Sequence, residues 1–133
     1  MMPATVRAPL VKPAKHVVLC VEDDPRQLRL LKRILQKRGF SVLQAATAVE
    51  ALELFHTNPV SLVVIDQRLG DKQMTGAQMS REIKALKPTL PVVLRSGYPS
   101  PRIGQTWDVF INKAESVETF LDIIEDLIRR YAA

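Results

Sequence analysis

Five short apolar segments alternate along the chain with segments whose apolar residues recur at helical spacing, and this alternation restricts the fold more than any other feature. The apolar segments do not switch between apolar and polar at every second residue, which is typical of strands buried on both faces of a parallel sheet. The pattern predicts an α/β fold of (βα)5 type, with an open parallel sheet, right-handed crossovers and helices on both faces. The predicted strands cover residues 16–21, 40–45, 60–65, 91–94 and 109–111.

Signals for the starts and ends of helices agree with this alternation. Asp24 followed by Pro25 is typical of an N-cap and a first helical position, and Gly39 is suited to end that first helix. Thr47 with Glu50 three residues later has the pattern of a capping box for the second helix. Two further helices are predicted over residues 77–86 and 116–131.

The crossover between the fourth and fifth predicted strands is short. Gly97 and Val109 are separated by the eleven residues 98–108, which include two prolines and a glycine. A crossover between parallel strands needs about a dozen residues, and proline interrupts helices. We therefore predict a shortened fourth helix of one turn, or an irregular segment, at this place.

The rest of the composition indicates one globular domain. Residues 1–15 contain three prolines and no periodicity, so we predict a flexible N-terminal leader followed by a domain over 16–133. No apolar stretch approaches the ~20 residues of a membrane span, no signal-peptide core is visible, and Cys20 is the single cysteine. We therefore expect a cytoplasmic protein without a membrane partner. The leader holds three of the basic residues, which lowers the net charge from +5 to +2 for the remainder, so no nucleic-acid partner is expected.

Polar side chains follow four of the five predicted strands. The carboxyl ends of parallel strands lie at one edge of a sheet, and functional groups collect there near the point where strand order reverses. We therefore expect these side chains to form one site. They are Glu22, Asp23 and Asp24 after the first strand, Asp66 after the third, Ser96 after the fourth and Lys113 after the fifth.

The residue types at this edge indicate phosphoryl chemistry. Crowded carboxylates repel one another, and a divalent cation removes that conflict. Mg²⁺ prefers oxygen ligands and is typically held by one or two carboxylates together with a phosphate, and Mn²⁺ can replace it. In this interpretation Asp66 is the nucleophile that forms an acyl phosphate, while the Lys113 ammonium and the Ser96 hydroxyl bind phosphoryl oxygens.

Four stretches resemble the response-regulator receiver family, in order and each at the end of a predicted strand. The resemblance covers roughly residues 16–131 and implies a doubly wound, five-stranded parallel sheet of order 2-1-3-4-5. It also implies a phosphoryl donor, either a histidine kinase or a histidine phosphotransfer domain, and a possible downstream target protein. The stretches are VLCVEDDP (18–25), LVVIDQRL (62–69), PVVLRSGY (91–98) and VFINK (109–113).

The resemblance also implies roles for the residues near the metal. Asp66 matches the phosphoacceptor, and Asp23 matches the acidic metal ligand after the first strand. Glu22 matches its acidic neighbour, which acts through metal-bound water, and Arg68 would offer its backbone carbonyl to the metal. The register among residues 22–24 is open by one position, and Glu22 with Asp23 is preferred because Asp24 caps the helix.

The resemblance implies a switch as well. Ser96 matches the hydroxyl that moves toward the phosphoryl group, and Phe110 matches the aromatic residue whose rotamer follows that movement. Packing in the core is an equal alternative for Phe110. The positions two beyond the acceptor and two beyond the hydroxyl tune loss of the phosphoryl group in the family. Here they are the bulky residues Arg68 and Tyr98, so we predict slow hydrolysis.

The sequence departs from the family pattern at three places. Gly70 replaces a proline after the acceptor, and Gly76 lies ten residues after Asp66 because the loop is longer. Ala114 replaces the proline that follows the lysine through a cis peptide, so we predict either a trans bond with Lys113 displaced or a strained cis bond. These departures keep an alternative open, a pseudo-receiver that acts as a phosphorylation-independent interaction module. No enzyme activity is expected beyond self-phosphorylation from small donors and self-dephosphorylation.

The first predicted helix is strongly basic after its cap. A solvated face is one interpretation, and a docking surface for an acidic patch on a kinase or phosphotransfer domain is the other. The basic residues are Arg26, Arg29, Lys32, Arg33, Lys37 and Arg38.

Overall fold

A computed structural model describes residues 16–69, 74–99 and 105–132 of the chain. Five parallel strands form one sheet in the order β2-β1-β3-β4-β5, as the resemblance implied. The strands are β1 (Val17–Val21), β2 (Ser41–Ala45), β3 (Leu62–Asp66), β4 (Val92–Ser96) and β5 (Val109–Asn112). In the described ranges the helices are α1 (Pro25–Lys37), α2 (Ala48–Thr57), α3 (Gly76–Leu86) and α4 (Val117–Ala132).

Local capping explains where the helices begin. The Asp24 carboxylate accepts a hydrogen bond from the Arg26 N–H at 2.9 Å, which confirms its prediction as the cap of α1. The Thr47 hydroxyl caps α2, but the Glu50 carboxylate accepts from the N–H of Ala46 at 2.8 Å, one residue before the cap. Thr75 and Gln78 form a complete capping box on α3, which the sequence analysis did not predict and which starts that helix at residue 76.

The sheet separates two apolar cores. Alternate residues of β1 point to opposite faces, so Val18 and Cys20 lie in one core while Leu19 and Val21 lie in the other. The first core fills the space between the sheet and helices α1 and α4, and the second is covered by α2 and α3. Residues in β3 and β4 are all buried, as expected for strands covered on both faces.

The segment between β4 and β5 contains no helix in its described part, residues 97–99 and 105–108, which agrees with the predicted irregular crossover. Residues 100–104 lie outside the described residues. Trp107 is 4% exposed and packs into the second core. Thr106 is hydrogen-bonded through its hydroxyl to the hydroxyl of buried Ser80 on α3. Side chains of this segment therefore cover the sheet where a fourth crossover helix would otherwise pack.

Asp108 connects this segment to three elements. Its Oδ2 accepts from the Val92 N–H at 2.7 Å and lies 2.8 Å from the Lys84 Nζ, so it joins β4 to α3. The Tyr131 hydroxyl of α4 donates to the other oxygen, and the Lys84 ammonium lies 5.2 Å from the centre of the Tyr131 ring. This polar cluster holds the start of β5 in place without a helix.

Two predictions of the sequence analysis concern residues outside the described ranges. The N-terminal leader, residues 1–15, is one of them, and the altered loop around Gly70 is the other. Within the described residues, no helix is long and apolar enough to cross a lipid bilayer.

Candidate functional site

The carboxyl ends of the central strands bring the predicted site residues to one edge of the sheet. Asp66 ends β3, Ser96 ends β4, and Lys113 directly follows β5. The Lys113 N–H donates to the Ser96 carbonyl at 2.9 Å, which continues the β4–β5 ladder into the site. Glu22 directly follows β1, and its N–H is bonded to the Ala45 carbonyl at 3.0 Å. Backbone pairing therefore sets the spacing of these groups.

Three carboxylates meet there. One oxygen each from Glu22, Asp23 and Asp66 lies within 4.8 Å of the others. Glu22 and Asp66 are buried, with 2% and 4% exposure, whereas Asp23 is exposed. Asp24 is not in this group, because its side chain caps α1. The preferred register of Glu22 and Asp23 agrees with this arrangement.

Lys113 reaches both buried carboxylates. Its Nζ lies 3.3 Å from Asp66 Oδ1 and 3.1 Å from Glu22 Oε1. No peptide bond is cis in the described residues, so the bond to Ala114 is trans. Of the two alternatives predicted for this bond, the structure has the trans one, and the Lys113 side chain still reaches both carboxylates. The ladder bond to the carbonyl of Ser96 holds the lysine backbone, and its long side chain spans the rest.

The electrostatics of Glu22 are unfavourable without a further positive charge. Burial and, second, the charge of Asp66 raise the pKa of its carboxyl, the Asp24 N–H and Lys113 lower it, and the net result is a pKa of about 7. Oε2 accepts the Asp24 N–H at 3.2 Å. Buried Oε1 has no partner with hydrogen-bond geometry among the described residues, although the Lys113 ammonium is close. A buried carboxylate oxygen that lacks a hydrogen bond is a natural ligand for a cation.

The donor set therefore fits a hard divalent cation. Carboxylate oxygens from three neighbouring residues are the ligand type that Mg²⁺ and Mn²⁺ prefer. Glu22, Asp23 and Asp66 are the residues that would hold it. The described histidines and the single cysteine Cys20 are not part of this group, and burial raises the pKa of the Cys20 thiol to about 12.

Ser96 and Phe110 occupy positions consistent with either a switch or a static core. The buried Ser96 hydroxyl accepts from the Tyr98 N–H at 3.1 Å, so it has a local partner. Phe110 pairs with Leu94 in the β4–β5 register and packs, half-buried, against the second core. The two interpretations of Phe110 therefore remain predictions.

Arg68 and Tyr98 meet above the strand ends. The Arg68 Nη1 donates to the Tyr98 hydroxyl at 3.3 Å, and the guanidinium carbon lies 4.1 Å from the centre of the ring. Both residues are exposed, and Tyr98 is 55% accessible. The two positions that the resemblance connects with phosphoryl lifetime thus contact each other.

Gly76 lies directly against the backbone of the phosphoacceptor. Its N–H donates to the Gln67 carbonyl at 3.1 Å, and the Gln67 side chain accepts the Ala77 N–H at 2.9 Å. A Cβ at residue 76 would lie only 2.5 Å from the Asp66 carbonyl oxygen. Glycine is therefore required at the end of the lengthened loop, where α3 meets β3.

Two residues beside the site, Arg95 and Gln27, were not predicted from the sequence. Arg95 is buried in β4, directly before Ser96, and its Nη1 donates to the Gln27 side chain of α1 at 3.1 Å. The same nitrogen lies 3.9 Å from Glu22 Oε1. The available signal was an arginine inside an otherwise apolar strand segment, VVLRS.

The basic residues of α1 and of its C-cap, Arg38, divide into two groups. Arg38 pairs with Asp122 and Glu125 of α4 at 3.3 and 3.0 Å, so it holds the two helices together. The others are exposed, and they form a basic surface along α1, the helix that begins directly after the acidic residues of the β1 end. The exposed residues are Arg26, Arg29, Lys32, Arg33 and Lys37.

Comparison with known proteins agrees with this geometry. The sequence profile described as "Response regulator receiver domain" matches residues 18–124. The transcriptional regulatory protein GlrR of Escherichia coli is 37% identical over 89 residues, which cover 67% of this chain but 19% of GlrR. The chain thus matches about a fifth of the length of that relative.

Solved structures show the same fold. A CheY-like receiver domain protein from Methanospirillum hungatei has a TM-score of 0.81 and 26% identity, over 88% of this chain and 96% of that one. The regulator TrrA of Thermotoga maritima, solved in complex with Mg²⁺-BeF, has a TM-score of 0.77 and 24% identity, over 84% and 98%. With its family profile, sheet order and acidic strand ends, the chain belongs to the response-regulator receiver family.

Proposed function

We propose that this protein is a phosphorylation-dependent signalling switch whose phosphoacceptor is Asp66. The observation that carries the proposal is the position of its carboxylate, buried at a strand end, 3.3 Å from the Lys113 ammonium and grouped with Glu22 and Asp23. A carboxylate placed there has a cation beside it to bind an incoming phosphoryl oxygen.

The transfer follows from these positions. An Asp66 oxygen forms a bond to phosphorus as the bond from phosphorus to the donor's histidine nitrogen breaks, and that nitrogen keeps the electron pair. Lys113 binds one phosphoryl oxygen through its ammonium, and the Ser96 hydroxyl donates to another. Burial of Asp66 limits the access of water to the acyl phosphate.

A divalent cation completes the site in this proposal. Glu22, Asp23, Asp66 and the backbone carbonyl of Arg68 would hold Mg²⁺ or Mn²⁺, with Glu22 acting through a bound water. When bound there, such a cation would supply positive charge next to the phosphoryl oxygens.

A histidine kinase or a histidine phosphotransfer domain is the proposed donor, and a downstream protein is the proposed target. The exposed basic surface of α1 favours an acidic surface on the donor. Such a switch would work in the cytoplasm and would have no turnover beyond self-phosphorylation from small donors and self-dephosphorylation.

The direct test is the intact mass of the full chain after incubation with Mg²⁺ and phosphoramidate or acetyl phosphate. One added phosphoryl group is expected in the wild type, and none in Asp66→Asn or with a chelator present. Asp126→Asn is the matched control, because it neutralises a half-exposed aspartate on α4 and should still be labelled. Labelling of Asp66→Asn to the same extent as the wild type would refute Asp66 as the acceptor.

A pseudo-receiver is the second candidate. The departures at Gly70 and Ala114, with the irregular β4–β5 crossover, favour a fold used only for protein interaction. Folded wild-type protein that gains no phosphoryl group from any donor would support this candidate over the first.

A further inference from the structure

Arg95 occupies a position where packing alone would favour an apolar residue. It lies on the same face of β4 as Val93, toward α1 and α4, and is 8% exposed. The other core-forming residues of β4 are apolar. Burying a guanidinium has a high desolvation cost unless its charge has a compensating partner, so an arginine here requires an electrostatic reason.

The contacts of Arg95 hold it without neutralising it. Nη1 donates to the neutral Gln27 amide oxygen at 3.1 Å, and the guanidinium carbon lies 5.8 Å from the centre of the Phe120 ring. Its Nη1 also faces Glu22 Oε1, at 3.9 Å, which is beyond hydrogen-bond distance. Its charge therefore acts on the acidic cluster through space rather than through a closed ion pair.

Two cations thus face the three carboxylates, and they differ in mobility. The Lys113 side chain is 28% exposed and flexible, so it can swing away when another cation enters. The Arg95 side chain is 9% exposed and fixed between α1 and α4, so it has no such freedom. An entering divalent cation would be repelled by Arg95 at every stage of binding.

We propose that Arg95 is a fixed positive charge that weakens the binding of a divalent cation to Glu22, Asp23 and Asp66. The inference rests on the proposed function, since it requires these carboxylates to bind such a cation. The side-chain contacts of Arg95 are with Gln27, Glu22 and Phe120 rather than with Asp66, so in this proposal it acts on the acceptor carboxylate through its electric field.

The test measures binding of Mn²⁺ alone to the full chain, with free Mn²⁺ counted by its electron paramagnetic resonance signal. Arg95→Met removes the charge and is expected to lower the Mn²⁺ dissociation constant on the order of tenfold. Arg95→Lys keeps the charge and should remain within about twofold of the wild type. Arg129→Met is the control for net charge, because Arg129 lies in the last turn of α4, and it should leave Mn²⁺ binding unchanged.

A second comparison covers two complications, misfolding of Arg95→Met and protonation of Glu22 when Arg95 is absent. Replacing two buried, oppositely charged side chains by neutral ones is often tolerated, so the double variant Glu22→Gln/Arg95→Met should fold. Its Mn²⁺ binding is compared with that of Glu22→Gln, in which residue 22 has no proton to gain. The double variant should bind Mn²⁺ more tightly than the single one. In each case the melting temperature shows that the variant is folded.

The outcomes separate this inference from the proposed function. Tighter Mn²⁺ binding on loss of Arg95, together with wild-type binding in Arg95→Lys, supports the inference. Equal or weaker binding in folded Arg95→Met and in the double variant overturns it, and leaves the phosphoacceptor role of Asp66 intact. Absence of Mn²⁺ binding in the wild type, in Arg95→Met and in the double variant alike would overturn both the inference and the metal site.

Discussion

Replacing Asp108 by alanine is expected to lower the free energy of unfolding by about 3 kcal/mol. The Val92 N–H would lose its 2.7 Å bond in a fully buried part of β4, and an unsatisfied buried donor costs about 1–3 kcal/mol. Lys84 would lose its ion pair with Asp108, whose side chain is 18% exposed, at 2.8 Å. Because this pair is neither fully buried nor fully exposed, its loss adds about 1 kcal/mol. The half-exposed Tyr131 hydroxyl adds about 0.5 kcal/mol.

Urea unfolding at pH 7, followed by the fluorescence of the single buried tryptophan, Trp107, measures this loss. The midpoint should fall while the slope of the free energy against urea stays unchanged. Asp126→Asn is the control, because it alters exposed ion pairs to Arg129 and Arg130 and should change stability by less than about 0.5 kcal/mol. A loss below about 1 kcal/mol in Asp108→Ala would refute the view that this cluster replaces a crossover helix.

The same cluster has a signature in pH. Burial raises the pKa of the Asp108 carboxyl, but hydrogen bonds from Lys84, Tyr131 and Val92 outweigh burial and leave it below its ordinary value of 3.8. A lowered folded-state pKa means that the carboxylate stabilises the fold above pH 3.8, and that this stabilisation is lost as the pH falls through the folded-state pKa. The stability difference between the wild type and Asp108→Asn should therefore be constant near neutrality and shrink below pH 3.8. A difference that does not change over that acidic range would contradict the assignment.

Three further predictions concern the site and the core. Gly76→Ala should destabilise the fold by about 2 kcal/mol and slow phosphorylation, because the new Cβ would meet the backbone of Asp66. Gly97→Ala is the control, because a Cβ there has open space, and it should change neither property. The melting temperature and the rate of phosphoryl labelling measure the two effects, and equal effects in both variants would contradict the close approach at Gly76. Arg68→Ala and Tyr98→Ala should each shorten the half-life of the acyl phosphate, because the stacked pair shields it from water. Intact mass followed over time measures the half-life, and unchanged half-lives would count against shielding. Cys20 should resist iodoacetamide at pH 8 until the protein unfolds, since burial raises its pKa to about 12, and rapid labelling of folded protein would contradict its place in the core.

Local patterns in the sequence predicted most of the architecture. Apolar residues follow one another in strands that are buried on both faces but recur every three to four residues in helices, so the two kinds of element can be told apart from the sequence. Helix starts can be identified as well, because a cap such as Asp24 with Pro25 hydrogen-bonds to a residue close in sequence. The short crossover followed from its length and prolines. The gathering of Asp66, Ser96 and Lys113 followed from one geometric rule, that parallel strands end at the same edge.

Which distant side chains meet was decided only by the tertiary structure. Lys113 reaches Asp66 despite its trans peptide because the β4–β5 ladder holds its backbone, and the sequence does not show that register. Arg95 faces Glu22, and Asp108 joins β4, α3 and α4, because sheet order and pleat direction set which faces are opposed. Periodicity reports the environment of each residue along its own element. Electrostatic partners are separated by tens of residues in the sequence, so their distances are fixed only when the elements pack.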